Sequence, residues 1–153
     1  YNFIPSEISA AFALEQLKKL KNIIKIRIKN FNYLSNFFSK YPSFFRLPLQ
    51  NKKIRTGWLA YPVLLKKGIG FSRKDLQIHL EKNGIQTRPI FSGNILKQPI
   101  MKKRHYKKHK DAHTVSDDVM KNGLLIGCHQ GLKKKDLDFV ITTIKKLITV
   151  HIN

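Results

Sequence analysis

The stretch WLAYPVLLKKGIGFSRKDLQIHLEKNGIQTRPI, residues 58–90, decides the fold. Trp58 to Leu65 sets aromatic and branched residues ahead of Lys66-Lys67-Gly68, the pattern of a strand running into a turn. Pro62 lies inside it and cannot donate a ladder hydrogen bond, which predicts an edge strand or a bulge. Ser72 is a candidate N-cap, with Asp75 three residues on as a weaker form of the capping box. The helix so opened carries Leu76 and Leu80 on one face, and Asn83-Gly84 offers a left-handed C-cap. Ile85 to Arg88 then reads as a short strand ending at Pro89.

Upstream, residues 5–40 read as helix. Ile8, Ala11, Leu14 and Leu17, then Leu20, Ile24, Ile28, Phe31, Leu34 and Phe38, keep an apolar face at helical spacing. A bend or split is expected near Leu20–Lys21, and Pro5 suits a first helical turn. Tyr41-Pro42 ends the run, because proline disfavours helical geometry in the residue before it. Phe44 to Leu47 is a further short strand. Downstream, residues 91–113 are irregular, followed by a short helix near Ser116–Asn122 and a strand at Leu124–Ile126. A last helix starts at about Lys133, with Leu137, Val140, Ile141, Ile144 and Ile148 on its buried side. Helices mixed with short strands, without a βαβ series, predict an α+β fold. Its small, mostly antiparallel sheet is covered by helices and preceded by a long bent or split N-terminal helix. Residues 1–40 form a connecting, interface segment in this reading, and 41–153 a small α+β domain.

The chain has 153 residues, a hydrophobic fraction of 42% and ten Phe, enough to bury a core. Its 30 Lys+Arg against 9 Asp+Glu give a formal charge of +21. Such a surplus attracts nucleic acid, anionic surfaces or phosphorylated ligands. The lysines are spread along the whole chain, which fits a biased composition better than a binding stripe. A basic nucleic-acid-binding module and a non-catalytic interaction domain docking through the helix at 5–40 stand as alternative readings. Cys128 is the single cysteine, so an internal disulfide and a Cys-rich metal site are excluded. With no signal peptide or apolar span of membrane length, a cytoplasmic location is expected. A first residue of Tyr, with helical sequence at once, suggests a segment lacking its natural N-terminus.

No glycine-rich phosphate loop, H-E-x-x-H or G-x-S-x-G occurs, and no catalytic residue is assigned within the chain. His105, His109 and His113 share a helical spacing, but six Lys or Arg in Met101–His113 oppose a cation, and no metal is assigned. Contact with a nucleotide diphosphate suits that charge better. Arg88 stands at a strand end before Pro89-Ile90-Phe91-Ser92-Gly93-Asn94, where binding groups are commonly held. Gly93 allows close backbone approach, and Asn94 offers both donor and acceptor. His129, in Gly127-Cys128-His129-Gln130-Gly131, is a candidate acid/base or hydrogen-bond donor, or a structural residue of its turn. Cys128 is read as packing.

Three segments together resemble the DegT/DnrJ/EryC1/StrS family of sugar aminotransferases and dehydratases, fold-type I pyridoxal-phosphate enzymes. Tyr1-Asn2 with Ile8-Ser9-Ala10-Ala11 and Glu15 to Leu20 is similar to the family's "GYN" turn and the helix after it. Gly84 to Pro89 with Ser92-Gly93-Asn94 and Gln98-Pro99 resembles its substrate-side loop. Asn122 to His129 followed by Gly131-Leu132 resembles its last strand and turn. The forms "RPI-x-SGN" and "GLLIG-x-H" look closest to 3-dehydratases of CDP- or GDP-linked 4-keto-6-deoxyhexoses.

The resemblance implies the C-terminal small domain of a homodimeric enzyme that uses pyridoxal phosphate or pyridoxamine phosphate on a sugar nucleotide. Asn2 would reach the cofactor phosphate of the neighbouring subunit, and Arg88, Ser92, Asn94 and His129 would lie toward the substrate. The cofactor-bonding lysine, or the histidine replacing it in dehydratases, would lie upstream of Tyr1. Ile4, Ser9, Ala13 and Lys133 depart from the basic residue, Gln, Gly and Thr usual in relatives. An apolar patch on the N-terminal helix, normally covered by a large domain or second subunit, is expected in the chain alone.

Overall fold

The computed structural model describes residues 3–51, 53–54, 56–107 and 114–152. Four helices and four strands follow in the order α1 (Glu7–Phe38), β1 (Phe45–Arg46), β2 (Ala60–Leu65), α2 (Arg73–Lys82), β3 (Thr87–Pro89), α3 (Thr114–Asn122), β4 (Gly123–Gly127) and α4 (Lys134–Ile152). Two 3₁₀ turns, Ile95–Lys97 and Pro99–Lys103, interrupt the irregular stretch after β3. Among the described residues no helix is long and apolar enough to cross a membrane.

The strands form one antiparallel sheet in the order β1-β2-β4-β3. Side chains alternate across it. Phe45, Tyr61, Val63, Leu65, Leu124, Ile126 and Thr87 point into the core and are buried. Arg46, Ala60, Pro62, Leu64, Leu125 and Arg88 take the other face, and none of them is buried. Pro62 thus sits in an interior strand, opposite Leu125. The chain tolerates it because β1 is two residues long and reaches only Leu64 and Leu65, leaving the flank of β2 at Pro62 without a β partner.

Local chemistry closes α2 at both ends. The Ser72 hydroxyl accepts from the Asp75 N–H at 3.2 Å, and the Asp75 carboxylate accepts from the Ser72 N–H at 2.8 Å, a full capping box. At the other end Gly84 takes φ 74°, its N–H donates to the Glu81 carbonyl and the Ile85 N–H reaches back to Leu80, both at 3.0 Å. That is a Schellman motif. Helix α4 has half of such a cap: Asp136 accepts from the Lys133 N–H at 2.8 Å, while the Lys133 side chain has no acceptor to return.

Helix α1 runs unbroken through Leu20–Lys21, so the expected split is absent, and Pro5 lies just before the N-cap Ser6 rather than in the first turn. Its 32 residues extend about 48 Å at 1.5 Å per residue. The two halves differ sharply. Phe31, Leu34, Phe37 and Phe38 enter the core with the sheet and α4. Phe38 stacks on Tyr61 with ring centroids 5.1 Å apart, and Phe31 stacks on Trp58 at 3.9 Å. By contrast Ile8 is 82% exposed, Phe12 68% and Leu17 60%. The expected apolar patch is therefore present, and burying each such side chain would contribute about 1.5–3 kcal/mol.

Without tertiary packing, a helical stretch as short as the uncovered residues 7–20 is marginal in water. In the chain studied alone, amides of residues 7–20 should exchange hydrogen far faster than those of residues 30–38. Equal protection along α1 would contradict this partition. Ser72→Ala should lower unfolding free energy by about 1 kcal/mol in urea denaturation through loss of the cap.

Candidate functional site

Strand β4 positions the candidate residues. Arg88 pairs opposite Leu125, which pairs opposite Pro62, so the three form a row on the half-open sheet face. Helix α3 closes one end of that face. Arg46 bridges to Asp118 at 3.3 Å, and a Cβ on Gly123 would lie 2.5 Å from the Val119 carbonyl oxygen, too close to exist. The Arg88 guanidinium is exposed and has no hydrogen bond or close ion pair among the described residues. Its charge helps hold the Glu81 carboxyl below the usual range, behind the larger effects of hydrogen bonds from Gln77 and Thr87. An unpaired, forked cation on a half-open surface suits a phosphate or carboxylate.

The loop after Arg88 is built rigidly. The Gly93 N–H donates to the Ile90 carbonyl at 3.1 Å, and Gln98 Nε2 donates to the Ser92 carbonyl at 2.9 Å. Asn94 is buried. Its Nδ2 donates to Asp117 Oδ1 at 2.8 Å, and its Oδ1 accepts from the Leu96 N–H at 3.0 Å. Lys97 adds an ion pair to the same Asp117 at 2.8 Å. Asn94 thus fastens the loop to α3 with the groups expected to meet a ligand. The small size of Gly93 serves α3 as well: at φ 62°, a Cβ there would lie 2.4 Å from the Met120 Cβ. Ser92 is exposed. Phe91 takes φ 47° and is 88% exposed.

His129 lies beyond the opposite end of β4, four residues past Leu125, on the order of 13 Å along the strand direction. Arg88, Ser92 and Asn94 belong to the end of β3 and the loop that follows it, and His129 lies beyond the other end of β4. Its Nδ1 accepts from the Gly131 N–H at 3.1 Å, which puts the proton of the neutral ring on Nε2, free to donate outward. It borders an apolar cleft of about 390 Å³ formed by Gly84–Gln86, the end of β4 and the first turns of α4. Asn2 and the histidines His109 and His113 lie outside the described residues. Among the described residues no group of three His, Cys, Asp or Glu could hold a metal.

One residue that the sequence did not single out holds this end together. Asn30 on α1 is buried, and its Nδ2 donates to the His129 carbonyl at 2.9 Å, with the Cys128 and Leu132 carbonyls at 3.5 Å. Arg27 Nε adds a 2.8 Å bond to Gln130 Oε1. A polar residue on the apolar face of a helix was the available signal. Its partners, about a hundred positions away, were not.

Cys128 is fully buried and its thiol faces the Trp58 carbonyl at 3.7 Å. Burial pushes it up to about 11, against a small opposing pull from Arg27. Burial likewise raises Tyr61, opposed by the Ser35 hydroxyl. Both groups favour the folded chain while neutral. The unfolded thiol ionises from about pH 8.5, so between there and pH 11 the folded state holds the extra proton and stability falls as pH rises. Unfolding midpoints should drop across that window, less steeply in Cys128→Ala. A thiol reagent at neutral pH should label Cys128 only on unfolding. Rapid labelling of the native chain would contradict its burial.

Comparison with known proteins agrees with this architecture. The profile of the DegT/DnrJ/EryC1/StrS aminotransferase family matches residues 1–145. The chain is 34% identical over 146 residues to GDP-4-keto-6-deoxy-D-mannose 3-dehydratase of Escherichia coli O55:H7, covering 95% of this chain and 37% of that protein. It is 30% identical to the lipopolysaccharide biosynthesis protein RfbH of Salmonella typhimurium, over 99% of this chain and 34% of that protein. The solved structure of the E. coli GDP-4-keto-6-deoxy-D-mannose-3-dehydratase with bound hydrated PLP superposes with a TM-score of 0.83 at 33% identity, over 94% of this chain and 36% of that one. The sugar aminotransferase CalS13 from Micromonospora echinospora, 18% identical with a TM-score of 0.79, shares the fold. The chain spans about a third of the length of the curated relatives it matches. On the evidence of sheet, helices and sequence together, it belongs to the DegT/DnrJ/EryC1/StrS aminotransferase family.

Proposed function

We propose that this chain is the small-domain part of a pyridoxal-phosphate- or pyridoxamine-phosphate-dependent enzyme that acts on a nucleotide-linked 4-keto-6-deoxyhexose. Removal of the C3 hydroxyl is favoured over transamination, in the making of deoxysugars for cell-surface polysaccharide. The observation that carries this reading is the unpaired Arg88 guanidinium on a half-open sheet face. The chain's identity to 3-dehydratases supports it.

The half-open face fits such an arrangement as one wall of a pocket. It supplies a cation and no enclosure, so the cofactor's ring belongs to protein beyond these residues. When bound, pyridoxal phosphate supplies an electron sink for breaking bonds next to the sugar carbonyl. Arg88 binds an anionic group of the substrate, and its planar fork fixes the orientation. The Ser92 hydroxyl and the Asn94 amide lie on the sugar side of that group in this reading, Asn94 chiefly by holding the loop. His129 contributes a hydrogen bond from Nε2 farther along β4. Asn2 belongs to the cofactor phosphate of a second subunit. Residues 1–40, with the bare stripe at Ile8, Phe12 and Leu17, connect to a large domain and to that subunit in a cytoplasmic homodimer. The catalytic base that separates the two reactions, lysine for transamination or histidine for dehydration, lies outside the chain.

The test uses the full-length enzyme with a GDP- or CDP-linked 4-keto-6-deoxyhexose. Arg88→Ala should raise KM about 10- to 150-fold, the equivalent of a charge-assisted hydrogen bond of about 1.5–3 kcal/mol. Arg88→Lys should restore only part of this, because it keeps the charge and loses the fork. Unchanged KM in both variants would sink the assignment. Product analysis separates the two reactions: the sugar loses its C3 oxygen in one and gains an amine in the other.

A further inference from the structure

Phe91 is the one non-glycine residue at positive φ among the described residues. It occupies the first central position of the turn closed by the Gly93 N–H on the Ile90 carbonyl. Turns with positive φ there favour Gly, Asn or Asp, since other side chains meet their own backbone. An aromatic residue in such a place normally recovers the cost by packing. Phe91 does not: it is 88% exposed and makes no ring contact among the described residues. The turn cannot relax the strain by shifting, because its flanks are fixed by Gln98 on the Ser92 carbonyl, by Asn94 on Asp117, and by Gly93 against Met120. Strain held in place by its surroundings, with no packing among the described residues to offset it, is the kind that clusters at binding and switch positions.

What the turn displays is a flat apolar ring three residues beyond an unpaired guanidinium. An exposed ring carried three residues past an exposed strand-end cation suits a ligand that joins a planar aromatic group to an anion. A nucleoside diphosphate is such a ligand. We infer that Phe91 is the stacking platform for the base of the sugar nucleotide, with Arg88 taking the diphosphate. This deepens, and rests on, the reading of the chain as part of a nucleotide-sugar enzyme.

The experiment measures competitive inhibition of the full-length holoenzyme by GDP, by CDP and by inorganic pyrophosphate, which keeps the anion and lacks a base. Base–aromatic stacking predicts that Phe91→Ala weakens the better nucleotide about 5- to 150-fold and leaves pyrophosphate unchanged. Phe91→Trp should stay close to the natural enzyme. Phe91→Gly should lose the nucleotide as Phe91→Ala does while unfolding at a higher urea concentration, because glycine accepts the positive φ. Equal weakening of nucleotide and pyrophosphate, or none, would overturn the inference. So would a loss of dimer or of heat stability in Phe91→Ala, which would make the ring a packing group. If the unsubstituted enzyme binds neither nucleotide nor nucleotide sugar, the proposed function falls and the stacking role with it. Natural binding with an unaffected Phe91→Ala removes the stacking role alone.

Discussion

The pairing of β4 between β2 and β3 is the constraint on which the remaining geometry hangs. Its five residues meet Ala60 to Leu64 on one edge and Thr87 to Pro89 on the other. This register sends Leu124 and Ile126 into the core with Tyr61, Val63 and Thr87, and sends Leu125 and Arg88 outward. A slip of β3 by one position would turn over its own side chains. Arg88 would then carry its charge into a compartment filled by Phe38, Tyr61, Leu76 and Ile144, where a lone cation has no partner. Burial of the inner set and exposure of the guanidinium are two results of a single choice of register.

Around that choice the chain divides its polar groups by task. Asn94, Asn30 and Asp117 spend their hydrogen bonds on the protein itself, holding one loop to α3 and one turn to α1. Arg88, Ser92 and His129 keep outward-facing capacity. Amides buried in this way stiffen their surroundings because leaving them unpaired is costly. Stiff loops are what a binding wall needs, since each freed rotation would have to be stopped again on contact with a ligand.

Features set by neighbouring residues were legible in the sequence. The capping box at Ser72 and the glycine stop at Gly84 are encoded within three or four positions, and the strands at residues 60–65 and 123–127 show in their apolar patterning. Features set by partners far along the chain were not. Pro62 reads as an edge residue because the sequence does not reveal that β1 is too short to flank it. Asn30 reads as an interruption of an apolar face because its partners begin at Cys128. Gly93 reads as room for a ligand, whereas the room is taken by Met120. The positive φ of Phe91 has no signature in residue type at all, since phenylalanine is what a turn predictor would place elsewhere.

The continuity of α1 has a mechanical consequence. One end is clamped, through Phe31, Leu34 and Phe38 in the core and through Asn30 on the turn after β4. The other end projects with its greasy stripe uncovered. No loop or turn interrupts the helix near Leu20. The stripe around Phe12 and the sheet that carries Arg88 are thus the two ends of one helix about 48 Å long, so protein that covers the first is joined to the second without an intervening loop.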